Sequence, residues 1–430
     1  MGALFMRKMY LCLTDFQILN ALNLQMHKFN EEEADIFFVT NKEGNEKLAD
    51  RLKATGIFKN VYLFNISKIS GLHQYFRDLT EHRGRNSFLS ACTNSLKEII
   101  YIGMSKIRGL TYKINKKVVF GGTLDFSIYD TIFCLDKRQI VVDVVTAVLK
   151  DTNRKCKISL LDEGTSTYWR SILETRFPVD DIYLYQPVMA NYYDDPNWRD
   201  RIKKIPLIDW EDQNFRKIIN TVFDFSLEVN KSVSCNKVLA EFKDKIVFFD
   251  QNWDPMPKYF DNLSLPLKLL LHNPYKKHKK ESRFYDDKMK LFRIVAKHCS
   301  GNEVVVKLHP RSPNEFAADY LKSECLMAEN LKIPWEVFMD NCSFKNNIWI
   351  TVSSTALCTY KTAFKNRLED IPMIFLYKIV YKDKMDFSED DEFFQSFKNN
   401  YNESVFLPDT VEEFQNIYLK LVKEMNRRKL

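Results

Sequence analysis

Apolar and polar positions along this chain follow two periods in turn. Short apolar runs of four or five residues, as in strands buried on both faces, alternate with stretches where apolar residues return every three or four positions. Residues 9–13 form the first run, which passes through Thr14 and Asp15 into a helix with Phe16, Leu19, Leu22 and Met26 on one face. Residues 35–39 predict a second strand, 46–54 a helix and 61–64 a third strand. A long helical region is expected over residues 72–107. Strands follow at 130–134 and 158–161, with a helix at 139–149 between them. This alternation predicts a doubly wound parallel sheet, an α/β fold.

The pattern loosens over residues 191–235, where Asp194, Asp195, Pro196 and Pro206 interrupt it, and a connecting or oligomerisation segment is expected. It restarts with a strand at 245–249. An insertion rich in Pro and Lys follows over 250–282, then a helix at 286–298 leading to the strand before His309. Further strands are expected at 348–352 and 372–376. The last helix, 411–427, places Phe414, Ile417, Tyr418, Leu421 and Val422 on one face. The restart divides the chain into two sheet domains, 1–240 and 241–430, facing each other across a cleft.

Composition narrows this picture. At 430 residues, each of two domains can bury a proper core. Hydrophobic residues at 45% and charged residues at 28% exclude a disordered chain. No apolar stretch approaches the ~20 residues of a membrane span. The first six residues are too short for a signal peptide's apolar region, and Met6 stands where a myristoylation signal needs Ser or Thr. A cytoplasmic location is expected, at most touching the inner membrane's cytoplasmic face. Nine cysteines without a C-x-x-C pair predict reduced, mostly buried thiols and no metal site.

The net charge of +7 is modest for a nucleic-acid binder of this size, and no nucleic-acid partner is expected. Its densest cluster is Lys276, Lys277, His278, Lys279 and Lys280, followed by Arg283. This is either a solvated loop or a surface for anionic headgroups or an anionic acceptor, where each cation contributes about 1 kcal/mol.

Candidate chemistry sits at three strand ends, the positions where ligands bind in open α/β sheets. Residues 157–161 run into Asp162-Glu163-Gly164, residues 304–308 into His309-Pro310-Arg311, and residues 348–352 into Ser353-Ser354-Thr355. Asp162 suits a general base, or else the cap of a following helix that holds Tyr168 and Trp169. Gly164 permits a tight turn and close approach of a substrate. His309, with Lys307 and Arg311 nearby and Pro310 fixing the backbone, can donate to a phosphate oxygen, or simply bond a backbone carbonyl. Ser353 and Ser354 open a helix expected at 356–364, where hydroxyls and free N–H groups form an anion site; capping is the plainer role. Glu336 is a first-turn acid or a ligand for ribose hydroxyls. The chain contains neither G-x-x-x-x-G-K-[ST] nor G-x-G-x-x-G. It also has no D-x-D pattern placed to hold a divalent metal on a sugar nucleotide.

Taken together, the three motifs resemble the bacterial sialyltransferases of the lipooligosaccharide and capsule type, marked by [D/E]-[D/E]-G, H-P and S-[S/T]. The opening strand and helix, from Tyr10 through Thr14 and Asp15 to Ala21, resemble the start of that family. The resemblance implies a GT-B fold, two Rossmann-like domains with CMP-N-acetylneuraminic acid in the cleft. It implies an inverting transfer to a glycan hydroxyl, without metal or other cofactor. Asp162 would be the base, His309 the acid, and Ser353 and Ser354 the phosphate clasp. Some members of the family place the base on a loop before the helix leading to His-Pro, where this chain has Asp286 and Asp287. Asp287 is therefore the rival base. From such an insertion it could also reach the cleft of a second copy in a homodimer. A transferase using another CMP-activated acid sugar, such as Kdo, is the nearest alternative, and a non-catalytic glycan-binding protein the more distant one.

Overall fold

The computed structural model describes residues 7–40, 45–65, 125–135, 139–225, 243–253, 272–299, 303–309, 320, 327–329, 333–365 and 370–429. The long helical region expected over 72–107 and the domain boundary expected at 240 both lie outside them.

Seven parallel strands build the first sheet: β1 (Arg7–Cys12), β2 (Glu33–Thr40), β3 (Asn60–Asn65), β4 (Tyr129–Cys134), β5 (Lys157–Leu161), β6 (Asp181–Leu184) and β7 (Ile202–Lys204). Their order is β3-β2-β1-β4-β5-β6-β7. The next strand, β8 (Ile208–Asp209), leaves this sheet. The second sheet contains β9 (Lys245–Phe249), β10 (Glu303–Lys307), β11 (Met327–Glu329) and β12 (Ile348–Thr351). After β13 (Phe364–Lys365), which pairs with β8, the second sheet is completed by β14 (Met373–Phe375) and β15 (Val405–Phe406). Its order is β11-β10-β9-β12-β14-β15. Both sheets therefore reverse strand order beside their first strand, the doubly wound Rossmann pattern in which ligands meet the carboxyl ends of strands at the reversal. The α/β fold with two Rossmann-like domains follows from this topology.

The strands are buried on both faces because helices cover both sides. Ile36, Phe37, Ile132, Ile158, Val247, Phe248 and Ile350 are all inaccessible to solvent. Tyr10 stacks on Phe133 across β1 and β4 at 4.8 Å, and Trp349 sits among Phe249, Trp335, Phe344 and Tyr360. Six cysteines among the described residues are free thiols, five of them buried, in line with the expected usage.

Three local expectations change. The helix Asp15–His27 is buried nearly all round, including Gln17, Asn20, Asn23 and Gln25, so its expected apolar face was too narrow. The region after residue 191 is not a loose connector. It adds β7 to the first sheet and ties β8 to β13 of the second domain, and its helix Gln213–Val222 meets that domain through Arg216–Asp340 at 3.1 Å. The Lys-rich segment is not a loop either: one helix runs from His272 to Lys297. Pro274 lies in its first turn, where a missing N–H breaks no helical bond.

Candidate active site

The Asp162-Glu163-Gly164 turn extends from β5. Gly164 has φ +107, a conformation that side-chain-bearing residues rarely adopt. It lies against the other domain: a Cβ placed there would meet Thr355 Cβ and Oγ1 at 2.9 Å. The acidic turn and the Ser353-Ser354-Thr355 turn thus touch across the domain boundary at Gly164 and Thr355, 191 positions apart. No helix follows the acidic turn. Two short 3-10 turns, Thr165–Tyr168 and Arg170–Leu173, take its place, and neither has a side-chain cap.

Asp162 does not serve as a helix cap. Its Oδ1 accepts from Gly164 N at 2.8 Å, and its Oδ2 accepts from Tyr168 Oη at 2.6 Å and Tyr185 N at 3.2 Å. Its own carbonyl accepts from Asn20 Nδ2 at 2.7 Å, which gives that buried polar side chain of the first helix its partner. The side chain is only 2% exposed. Burial pushes its carboxyl up to about 6, against the pull of its three donors. All three donors are neutral, so no cation offsets the lost hydration. The second domain's Cys358 feels this charge: burial, then Asp162, drive its thiol upward.

In the second domain, β10, β9 and β12 are adjacent, so His309, Asp250 and Ser353 stand at neighbouring strand ends. Ser353 Oγ lies 2.6 Å from Tyr381 Oη, a bond in which either hydroxyl can donate. Ser354 is the N-cap residue of the helix Thr355–Thr362, yet its side chain makes no capping bond. Both serines are partly exposed. Hydroxyls at a helix N-terminus, at the point of strand reversal, are groups able to bind an anion.

Lys307 and Glu336 belong together. Burial pulls the Lys307 ammonium down, while Glu336 and Asp250 hold it up. Burial likewise raises the Glu336 carboxyl, opposed by its bond from Thr359 Oγ1 at 3.1 Å and by Lys307. Part of the Lys307 charge is thus already matched within the protein.

Thr14 and Asp15 lie at the first domain's strand reversal. Thr14 forms a capping box with Gln17: its Oγ1 accepts from Gln17 N at 3.2 Å, and Gln17 Oε1 accepts from Thr14 N at 3.3 Å. Pro310 and Arg311 lie outside the described residues. Asp287 does not start a helix; it stands well inside one. Its carboxylate pairs with Lys384 at 2.6 Å and Lys290 at 3.0 Å. Burial opposes these bonds, but the two ammonium groups prevail and hold its carboxyl below the usual range.

Three groups here escaped the sequence pattern: Thr355 as the contact for Gly164, Tyr381 as the partner of Ser353, and Asp250 beside His309. Asp250 alone had a signal, since it directly follows the first strand of the second sheet.

No curated protein shows significant similarity to the chain. The family model for alpha-2,8-polysialyltransferase (POLYST) matches residues 129–369, more than half of the chain and the span that holds all three motifs. Among solved structures, UGT73P12 of Glycyrrhiza uralensis, complexed with glycyrrhetinic acid 3-O-monoglucuronide, has 9% identity and a TM-score of 0.41 over 98% of this chain and 90% of that one. UGT89C1 of Arabidopsis thaliana, complexed with UDP-L-rhamnose, has 8% identity and a TM-score of 0.40 over 97% and 99%. UDP-GlcNAc 2-epimerase of Neisseria meningitidis, bound to UDP-GlcNAc, has 13% identity and a TM-score of 0.37 over 97% and 94%. Likenesses this distant add nothing to the strand order.

Proposed function

This chain belongs to the alpha-2,8-polysialyltransferase family, and from that premise we propose that it moves N-acetylneuraminic acid from CMP-Neu5Ac to a glycan hydroxyl, with inversion and without metal. The observation that carries this reading is the contact of the Gly164 turn with Thr355, which sets a carboxylate raised to about 6 close to the uncapped Ser353-Ser354 turn.

CMP binds in the second domain, its phosphate on Ser353, Ser354 and the free N–H groups of the helix they open. Glu336 takes the ribose hydroxyls. The acceptor approaches from the first domain, on the side of Thr14 and Asp15. Its hydroxyl oxygen attacks the anomeric carbon as the bond to the CMP phosphate breaks, through an oxocarbenium-like transition state. Asp162 receives the hydroxyl proton. A base whose carboxyl titrates near 6 is ionised at neutral pH yet basic enough to take that proton. His309 donates to the departing phosphate oxygen, and Lys307 and Arg311 offset its charge. Donors aimed at charge that develops on the leaving group are often the largest catalytic term.

The motif resemblance points to a galactose-ended surface glycan of lipooligosaccharide or capsule as acceptor. The alpha-2,8 and polymer terms in the family's description favour an acceptor ended by sialic acid itself. The enzyme works in the cytoplasm. The helix His272–Lys297, with Lys279, Lys280 and Arg283 outward, offers a basic face to the inner membrane. Among the described residues no helix is long and apolar enough to cross a membrane.

The test is a donor screen with CMP release as readout, followed by sizing of the product. Release from CMP-Neu5Ac with growth of a sialylated acceptor supports the reading. Release only from CMP-Kdo makes the chain a transferase of another acid sugar, and no release from any donor makes it a binding protein.

A further inference from the structure

The carboxylate of Asp250 ends two strands at once. Its backbone N donates to Lys307 O at 2.9 Å, the last rung between β9 and β10. The next N–H on β10, that of His309, turns to Asp250 Oδ2 at 3.4 Å. In a parallel ladder that N–H would go to the backbone carbonyl of the residue opposite. Here a side chain takes it, so the backbone of residues 250–253 is free to leave the sheet while the His309 turn stays anchored.

The anchor is itself held from the opposite side. Asp250 Oδ1 accepts from Lys288 Nζ and from Tyr320 Oη, each at 2.5 Å. Lys288 Nζ also donates to Gln251 O at 2.9 Å. The ion pair has no access to solvent to speak of, at 1% and 0% side-chain exposure. Around the ammonium stand the rings of Tyr285, Tyr320 and Trp253, at 5.0, 5.8 and 5.9 Å from their centroids. A buried pair of this kind adds little net stability compared with apolar residues of the same shape, but losing one partner leaves a bare buried charge. Its use is therefore geometric: it specifies one position for the groups attached to it.

Asp287, the neighbour of Lys288, takes a different partner. It pairs with Lys384, whose backbone N donates to the carbonyl of Tyr381, the residue bonded to Ser353. One turn of the helix His272–Lys297 thus ties the His309 turn to the Ser353 turn.

We propose that Lys288 and Asp250 are positioning residues, a buried ion pair that sets the His309 turn relative to Ser353 by holding the His309 backbone N–H. The inference rests on the transfer reading above. Positioning matters there because an error of about 1 Å in a reacting group costs on the order of 10²-fold in rate.

The experiment uses full-length protein carrying Lys288→Met or Asp250→Asn, each alone and combined with His309→Ala. Turnover is read as CMP release, and binding as CMP affinity by calorimetry. Labelling with 15N-histidine leaves seven backbone amides to observe, so exchange at the His309 N–H can be followed by NMR. The expected result is a loss of about 10²-fold in kcat with CMP affinity nearly kept, and faster exchange at His309. In the His309→Ala background, the further loss should be smaller than about threefold, since groups acting through one another are not additive. Equal losses in both backgrounds, or unchanged exchange at His309, overturn the proposal. Should Lys288→Met fail to fold, Asp250→Asn, which keeps the shape, carries the same reading. If the unaltered protein releases no CMP from any donor, the transfer reading fails by itself. The exchange measurement then decides the positioning role.

Discussion

Two carboxylates illustrate how environment sorts residues of one type. Asp162 and Asp287 are both acids near the proposed transfer site, the first buried and the second partly exposed. Asp162 meets only neutral donors, from Gly164, Tyr168 and Tyr185, and its carboxyl rises to about 6. Asp287 meets two ammonium groups, Lys384 and Lys290, and falls below the usual range. The first is prepared to accept a proton at neutral pH. The second is prepared to remain an anion and to hold the side chains of Lys384 and Lys290. Burial acts on both in the same direction but more strongly on Asp162, so the difference lies in the depth of burial and in the charge of the partners.

The largest test separates them directly. Asp162→Asn should lower turnover by roughly 10²–10⁴-fold, the range for a lost general base, with CMP still bound. Asp287→Asn should leave more than about a tenth of the rate, since an exposed-side ion pair contributes little. The opposite result would make Asp287 the base. His309→Ala should fall by a similar 10²–10⁴-fold, and near-normal rates in a folded variant would reduce His309 to a structural role.

Gly164→Ala comes next. The added methyl meets Thr355 at 2.9 Å and sits at φ +107, so both the turn and the domain contact must shift. We expect a loss of about 1–3 kcal/mol in stability, read by thermal unfolding, and lower turnover. An unchanged melting curve would mean that the turn is not held against Thr355.

Smaller in size but sharper in meaning is the acid limb of the rate profile. If the base is Asp162, protonation below about pH 6 removes it, and kcat/KM falls about tenfold per pH unit below that point. A base with a lowered carboxyl, as at Asp287, would keep the rate down to pH values below those of ordinary carboxylates. A limb below the ordinary carboxylate range therefore argues for Asp287. Last, EDTA should leave turnover unchanged; loss restored by magnesium or manganese would remove the metal-free reading.

Much of this was legible from the residues. The strands β1, β2, β3, β4, β5, β9, β10, β12 and β14 follow from short, mostly apolar runs, and the motif positions follow from the ends of β5, β10 and β12. The short strands β7, β8, β13 and β15, with two or three residues each, carry no period of their own and exist because a neighbour offers a ladder. The helix Ser388–Asn400 did have a signal, with Phe393, Phe394 and Phe397 on its buried side, but the acids at its start conceal it. At the candidate site, Asp162, His309 and Ser353 stand out in the sequence by their strand ends, and the fold places them at strand ends. Lys288 was not, because a lysine in a Lys-rich helix reads as solvated, and only the tertiary fold turns it inward to Asp250. Tyr381 was missed likewise, since its bond to Ser353 spans 28 positions.

The small ladder between β8 and β13 has a mechanical consequence. Ile208 pairs with Phe364 and Asp209 with Lys365, while Ile208 N donates to Ala363 O at 2.8 Å and Lys365 bonds Asp209 at 3.0 Å. These rungs pin one domain to the other at a spot fixed in register. A ladder fixes position along its strands in whole-residue steps, so it resists sliding of one sheet domain past the other. Arg216–Asp340 and the seat of Gly164 against Thr355 tie the same two domains elsewhere. With several ties far apart, the acidic turn of one domain keeps a set place against the serine turn of the other.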